Sequence, residues 1–469
     1  MSHQDLGLGS GRTTFGEQLC RAVRWLVTPD AFSRIEFRKD CTWTPWLLVA
    51  AAMVWVWSGE PTLTERFDTA RSVVQDAFAV QHELAGSYQA WMKMLVRWTS
   101  PLLSVLLTAM RRRMRRRFRG HRIAGRNVFA VDGSRFELPR TASNQRRYCP
   151  ASCRGKRPRR RKSTRRGRAD RSRRKKAENP QMWITTLWHA GIGLPWDWRT
   201  GPSDSSERSH LLQMIASLPP ACLVTADAGF VGYAYWKALA DAGHNFVIRV
   251  GSNVKLLRNL GYVRQRHGLV YLWPDAVAAK RLPPLALRLV VVHNGKHPVY
   301  LVTDILDAKE LPDDDVATIY RHRWGIEVYY RSFKQTFQRR KLRSYKAEHA
   351  RVELEWSMAG LWAACLYAQH CGRMRPERLS VAGVLRAFRR AIHHYAVRPK
   401  EGRDLTTRLA QAIIDDYTRR NKASRDYPRK KQEQPAGPPD IIPATPEQTQ
   451  RAREIKRQQP ETRLGAGEK

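Results

Sequence analysis

The sequence predicts an α/β fold, a mixed sheet flanked by helices behind an α-helical N-terminal domain. Three observations carry this expectation. Apolar runs of strand length, closed by Asp or Gly, recur from residue 127 onward. Segments with apolar residues at helical spacing lie between them. The first 120 residues read as mostly helical.

Taken in order, residues 1–120 hold helical periodicity in "TLTERFDTARSVVQDAF" and "SYQAWMKMLVRWTSPLLSVLLTAM". The run "PWLLVAAAMVWVW", residues 45–57, is shorter than the roughly 20 residues that span a bilayer, so it reads as a buried helix. The region ends in "RRRMRRRFRGHR". So many like charges repel one another unless a polyanion screens them, so phosphate contact is expected here and DNA binding for the region as a whole.

In residues 121–251, "NVFAVDG" reads as a buried strand opening into a turn, followed by strands in "QMWITTLWHAGI" and "LPWDWRT". "SDSSERSHLLQMIASL" then has a Ser/Asp start and Leu211, Leu212, Ile215 and Leu218 at helical spacing. "CLVTADAGF" and "NFVIRVG" are further strands around the helical "YAYWKALADAG". This succession suggests a sheet covered by helices. Residues 150–178, including "RGKRPRRRKSTRRGRADRSRRKK", are too poor in apolar residues to build a core and are expected to be a disordered basic insertion that attracts phosphate without reading bases.

Residues 252–308 form a β-rich stretch, with "LVYLW", "LALRLVVVH" and "PVYLVTDI" set off by Pro and Gly. Residues 309–418 are helical, starting after "LPDDD", whose acids suit a helix N-terminus; Asp304 and Asp313 to Asp315 read as turn and helix-start residues. The tail, 419–469, is rich in Pro, Gln, Lys and Arg and is expected to be disordered and basic.

Charge narrows the function. A formal +42 at pH 7 with a pI of about 10.8 calls for a polyanionic partner, nucleic acid first. A membrane partner is not expected, because no lipidation pattern is present, and without a charged-then-apolar leader the expected location is the cytoplasm, with the nucleoid when bound. Seven cysteines without a repeating spacing argue against a disulfide scaffold.

Within "YRHRWGIEVYYRSFK", one α-helix turning about 100° per residue would place Tyr320, Arg323, Glu327, Arg331 and Lys334 on a single face. An adjoining stripe of Ile326, Phe333 and Phe337 would seat that helix on the core. Asp132 and Asp227 each stand just past an apolar strand and are followed within two residues by Gly. Such strand ends converge on one edge of an open α/β sheet, and three carboxylates there would suit a hard divalent cation, most plausibly magnesium. For an isolated helix, Glu327 as a simple salt-bridge partner of Arg323 or Arg331 is the competing explanation.

With "VDGS", "TADAGF" and Tyr320-x2-Arg323-x3-Glu327-x6-Lys334 in place, the chain resembles the DDE transposases of bacterial insertion sequences, in the group marked by a Tyr-Arg-Glu-Lys signature. The resemblance spans about 127–345. It implies an RNase H-like catalytic core with a β-rich insertion between the second Asp and the Glu. It also implies a two-metal site on Asp132, Asp227 and Glu327, taking magnesium with manganese able to substitute, and DNA contacts from Tyr320, Arg323 and Lys334. Arg331 is a further candidate contact. Trp273 could hold a flipped base as aromatics in related insertions do, or simply pack in a core. The implied partners are double-stranded DNA, as element ends and target, and a second copy of the chain in a homodimer holding two ends. The implied reaction is cleavage at the ends followed by strand transfer. An RNase H-like nuclease that cuts without joining, and an inactive DNA-binding protein, are the rival classes. The long basic tract after Asp132 and the short interval from Asp227 to Glu327 depart from the family pattern.

Overall fold

Residues 13–78, 80–84, 86–151, 179–293, 297–372, 376–414 and 437–458 are described by the computed structural model. The N-terminal region is helical as expected: α1 (Phe15–Leu26), α2 (Pro45–Trp57), α3 (Leu63–Ala77) and α4 (Tyr88–Arg115). Thr14 and Thr62 begin α1 and α3 with reciprocal caps, each hydroxyl accepting from the N–H of a Glu three residues on, whose carboxylate bonds back to the threonine N–H. Helix α2, apolar on every side, is buried on every side. Among the described residues no helix is long and apolar enough to cross a membrane.

The arginine run at the end of α4, where phosphate contact is expected, is divided between neighbouring elements and solvent. Arg111 pairs with Asp197 at 3.0 Å, and Arg113 lies 4.2 Å over the ring of Trp25. Arg115 covers Trp196, and Arg117 donates to Gln369 Oε1 at 2.9 Å. These side chains tie α4 to its neighbours, while Arg112, Arg116, Arg119 and Arg122 face solvent.

Strand β1 (Asn127–Glu137) and the short helix α5 (Ala142–Tyr148) are followed by β2 (Gln181–His189), β3 (Leu194–Pro202), α6 (Glu207–Met214), β4 (Cys222–Ala226), α7 (Tyr233–Asp241) and β5 (Asn245–Val250). The basic stretch expected to be disordered at 150–178 lies, but for its first two positions, outside the described residues. Next come β6 (Lys255–Arg258), β7 (Leu269–Leu272), α8 (Asp275–Ala279), β8 (Leu285–His293) and β9 (Pro298–Thr303). Helices α9 (Asp313–His322), α10 (Trp324–Arg331), α11 (Ala347–Gly372), α12 (Val381–His393) and α13 (Leu405–Ala410) complete the core.

Within the sheet, β3, β2, β1, β4 and β5 lie side by side in that order. β1 pairs antiparallel with β2 and parallel with β4, and β4 pairs parallel with β5. Three antiparallel strands joined to two parallel ones in this order are the RNase H-like arrangement. The β-rich stretch does not stand apart from it. β9 pairs antiparallel with β5, then β8, β7 and β6 follow outward, so insertion and core are one continuous sheet.

The tail expected to be disordered contains ordered elements, β10 (Asp440–Pro443) and α14 (Pro446–Gln458). β10 adds in parallel to the outer edge of β6, and this pairing satisfies edge groups that would otherwise face water. Ala452 and Ile455, three apart on α14, pack with Leu257, Leu269, Tyr271 and Trp273 in a second, smaller core. A few apolar residues in a polar segment are enough, because the partner surface is already built elsewhere in the fold.

Helix α11 is buried along most of its length and joins the N-terminal helices to the sheet in one core. Trp57 Nε1 donates to the carbonyl of Gly360 at 2.8 Å, and Trp356 Nε1 donates to Thr99 Oγ1 at 2.9 Å. Gly360 is required by this contact, since a Cβ there would sit 2.3 Å from Val56 Cγ2.

Ile455→Ala, which hollows the second core at a 4 % exposed position, is expected to weaken docking of the tail by about 2–4 kcal/mol. Limited proteolysis should then release residues 437–458 well before the rest of the chain is cut; unchanged protection would refute the docking.

Candidate active site

The register of β1 and β4 builds the site. Val131 lies opposite Ala226 in the last step of the parallel pairing, so Asp132 and Asp227 follow side by side. The turn expected after Asp132 is corrected: Asp132 lies inside β1, which runs on to Glu137 against β2, whereas Asp227 does stand just past the end of β4. Asp132 Oδ1 accepts from the N–H of Gly133 at 2.9 Å. Asp227 Oδ1 accepts from the N–H of Gly229 at 2.7 Å, which opens the turn after β4.

The third acid arrives on α10, which lies across β1. Tyr330 donates to the carbonyl of Asp132 at 3.0 Å, and Ile326, Phe333 and Phe337 are fully buried beneath it. Gly325 lets the helix lie close, because a Cβ there would come within 2.0 Å of Trp188 on β2. The single regular helix expected through 320–334 is corrected: α9 ends at His322, α10 runs from Trp324 to Arg331, and Ser332–Thr336 is a π-helical turn. A π turn widens the helix by one residue and rotates every later side chain about the axis, so an even 100° spacing does not describe Lys334.

Arg323 and Glu327 form an ion pair at 2.7 Å, so the salt-bridge explanation holds locally. It is not the whole account, because Arg323 is 8 % exposed and its Nε–H has no acceptor among the described residues. Burial lowers the affinity of that guanidinium for its proton, but Tyr320, Glu327 and Asp227 more than offset this and raise it. Arg323 also lies 5.5 Å over the ring of Tyr320. Lys334 sits over Phe136 and feels Asp132 and Glu137; burial, with help from Arg340, lowers its pKa.

Glu207, in the first turn of α6, is a fourth acid here that the sequence pattern did not single out. Its carboxylate rests against the backbone beside Asp132: a Cβ on Gly133 would be 1.9 Å from Glu207 Oε1, and one on Gly229 would be 3.7 Å from Oε2. Burial, then Asp132 and Asp227, push Glu207 up to about 7. Burial likewise lifts Asp132 to about 6, against Arg323 and the Gly133 N–H, with Glu327 and Asp227 adding to the rise. The one local signal was a Glu following Ser206 between the third and fourth strands, which reads equally well as an ordinary helix start.

These acids fit a hard divalent cation in chemistry: all are oxygen donors, and burial, then neighbouring acids, raises Asp132 and Glu207. Among the described residues no three His, Cys, Asp or Glu side chains already stand close enough to hold an ion, and Glu327 is engaged by Arg323, so the carboxylates share one region without forming a finished cage.

Two expected DNA contacts stand apart. Trp273 is 3 % exposed inside the second core, and its indole donates to the carbonyl of Leu282 at 2.9 Å. A ring packed on all sides offers no face to a base, so Trp273 is withdrawn as a DNA contact. Arg331 is exposed at the end of α10 and forms no ion pair among the described residues. Asp304 accepts from the N–H of Phe246 and from Asn245 Nδ2, consistent with a structural role.

Residues 123–363, just over half of the 469, match the family model described as the transposase DDE domain. The chain belongs to this family. DDE domains are metal-dependent enzymes that act on DNA, which is the chemistry the acids already suggested. The transposase InsG for insertion sequence element IS4 of Escherichia coli (strain K12) is 31 % identical over 196 residues. That match spans 38 % of this chain and 43 % of the relative. The chain also aligns with the piggyBac transposase in a synaptic complex with hairpin DNA, at 12 % identity and a TM-score of 0.36, covering 91 % of this chain and 81 % of that one. That likeness is too loose to add to the DDE assignment.

The raised acids have a consequence for pH. A carboxyl whose folded pKa is raised binds more protons in the native than in the unfolded state, so without metal it costs stability as pH climbs from about 4 through its folded value. With Asp132 near 6, Asp132→Asn in chelator should match the wild type at pH 4 and exceed it by about 1–3 kcal/mol at pH 8. Urea unfolding at the two pH values checks this; equal stability at both would show that the acids are not strained.

Proposed function

We propose that the chain is a transposase that cleaves DNA at the ends of a mobile element and joins the freed 3′-hydroxyl to target DNA. The observation that carries this reading is the parallel register bringing Asp132 and Asp227 to one sheet edge, with Glu327 laid against it by α10. Membership of the DDE family supports it.

Asp132, Asp227 and Glu327 would hold two magnesium ions, with manganese able to substitute. When bound, such ions supply Lewis acidity to a phosphodiester, favouring both the attacking and the leaving oxygen. The chain's own side chains do the rest. Arg323 keeps Glu327 oriented through one nitrogen and supplies positive charge beside the carboxylates. Tyr320 carries its hydroxyl proton at neutral pH, as a tyrosine ordinarily does and more firmly where burial raises its pKa, and so can act as a donor. Lys334 supplies a point charge on the Asp132 side of the cluster. Glu207, protonated near neutrality, lets the cluster trade a proton for incoming positive charge. Double-stranded DNA is the substrate, and joining two ends calls for two copies of the chain in one complex.

Duplexes carrying the inverted repeats that flank the gene are the test substrates. Magnesium-dependent nicking and strand transfer are expected, with Asp227→Ala losing at least about a thousandfold in rate while still binding DNA. Nicking that survives both chelation and Asp227→Ala would end the reading. Cutting that never leads to joined products would reassign the chain as a nuclease.

A further inference from the structure

Beside Lys334, and outside the carboxylate cluster, a cavity of about 1220 Å³ opens between the catalytic core and the N-terminal helices. This exceeds the roughly 300–1,000 Å³ typical of small-molecule sites. Its walls carry Arg140, Lys334, Arg340, Lys341, Arg343 and Lys346, and no carboxylate lines it among the described residues. Lys341, Arg343 and Lys346 are exposed, and their side chains form no ion pair among the described residues. Arg340 has only the exposed Glu137, at 3.3 Å. Cations gathered this way repel one another until an anion with several charges enters.

One wall is a loop held rigid around an exposed ring. The N–H groups of Arg343 and Ser344 donate to the Glu353 carboxylate at 3.0 and 2.9 Å. Thr141 Oγ1 donates to the Tyr345 carbonyl at 2.6 Å, Asn144 Nδ2 to that of Ser344 at 3.1 Å, and the Ala347 N–H to Ser143 Oγ at 3.0 Å. Although its backbone is fixed on both sides, the Tyr345 side chain is 73 % exposed. A pinned loop that presents an aromatic face among cations has the two parts of a nucleic-acid strand site, charge for the backbone and a platform for a base.

We propose that this groove holds the DNA strand leading away from the catalytic carboxylates, with its phosphates on Lys341, Arg343 and Lys346 and an unpaired base stacked on Tyr345. The identity of the anion as DNA rests on the transposase reading. The groove meets the cluster at Lys334, which lines the cavity and also lies in the field of Asp132. A strand bound at the acids therefore continues into the groove.

The test measures binding of the full chain to a fluorescent 30-nucleotide thymidine strand in chelator, where no cleavage takes place. Tyr345→Ala is expected to weaken binding about tenfold with the salt slope unchanged. The triple variant Lys341→Ala, Arg343→Ala, Lys346→Ala should weaken it further and lower the slope of log K against log salt by about 2. These side chains are exposed, so unfolding should not confuse the result, and matching melting temperatures will confirm this. The groove is refuted if either variant binds within twofold of wild type, or if polyglutamate of equal charge displaces the strand as well as a second thymidine strand does. A wild type that binds in this way but never nicks would remove the transposition reading and leave the groove standing.

Discussion

The parallel pairing of β1 with β4 is the constraint on which the rest depends. Hydrogen bonds between the two backbones, not contacts between the acids, hold Asp132 and Asp227 at one edge. Holding carboxylates here is costly, chiefly because burial raises Asp132 and Glu207, with neighbouring acids adding to the rise. The arrangement persists because Val128–Val131 of β1 and all of β4 are buried and cannot shift register without turning apolar residues outward. The stability of the sheet thus offsets the cost of keeping partly buried carboxylates together, a cost that Arg323 relieves in part.

The helix that brings Glu327 is seated by the same principle. The small Gly325 against Trp188 and the Tyr330 hydroxyl on the Asp132 backbone set how far Glu327 stands from the strand edge. The Arg323 pair keeps that carboxylate oriented. Chemistry and scaffold are here the same few contacts, so substitutions at Gly325 or Tyr330 would act on the site without touching a substrate.

Much of this was legible in the sequence for local reasons. An apolar run closed by Asp then Gly announces itself by composition, which is why Asp132 and Asp227 stood out, although only Asp227 ends its strand and β1 runs on past Asp132; the run from Tyr320 to Lys334 stood out by spacing. Features set by tertiary contact escaped. Glu207 looks like any acid at a helix start until β1 is folded beside it. Ile441, Ile442, Ala452 and Ile455 are too few to mark structure in a polar tail, and become a strand and a helix only because β6 offers an open edge and a waiting apolar surface. Trp273 beside Pro274 was ambiguous, and the same second core decided it. The π turn after Arg331 leaves no mark in residue periodicity, so a wheel drawn at constant pitch misplaces Lys334 and the residues beyond it.

The hydrogen bond from Trp57 to the Gly360 carbonyl joins the N-terminal helices to α11, and beneath the basic groove the two share one apolar core. A region packed in this way does not swing as a separate module. Any molecule that touched both the N-terminal helices and the acids would meet them at a set separation, which only a rebuilt core, and not a lengthened linker, could change.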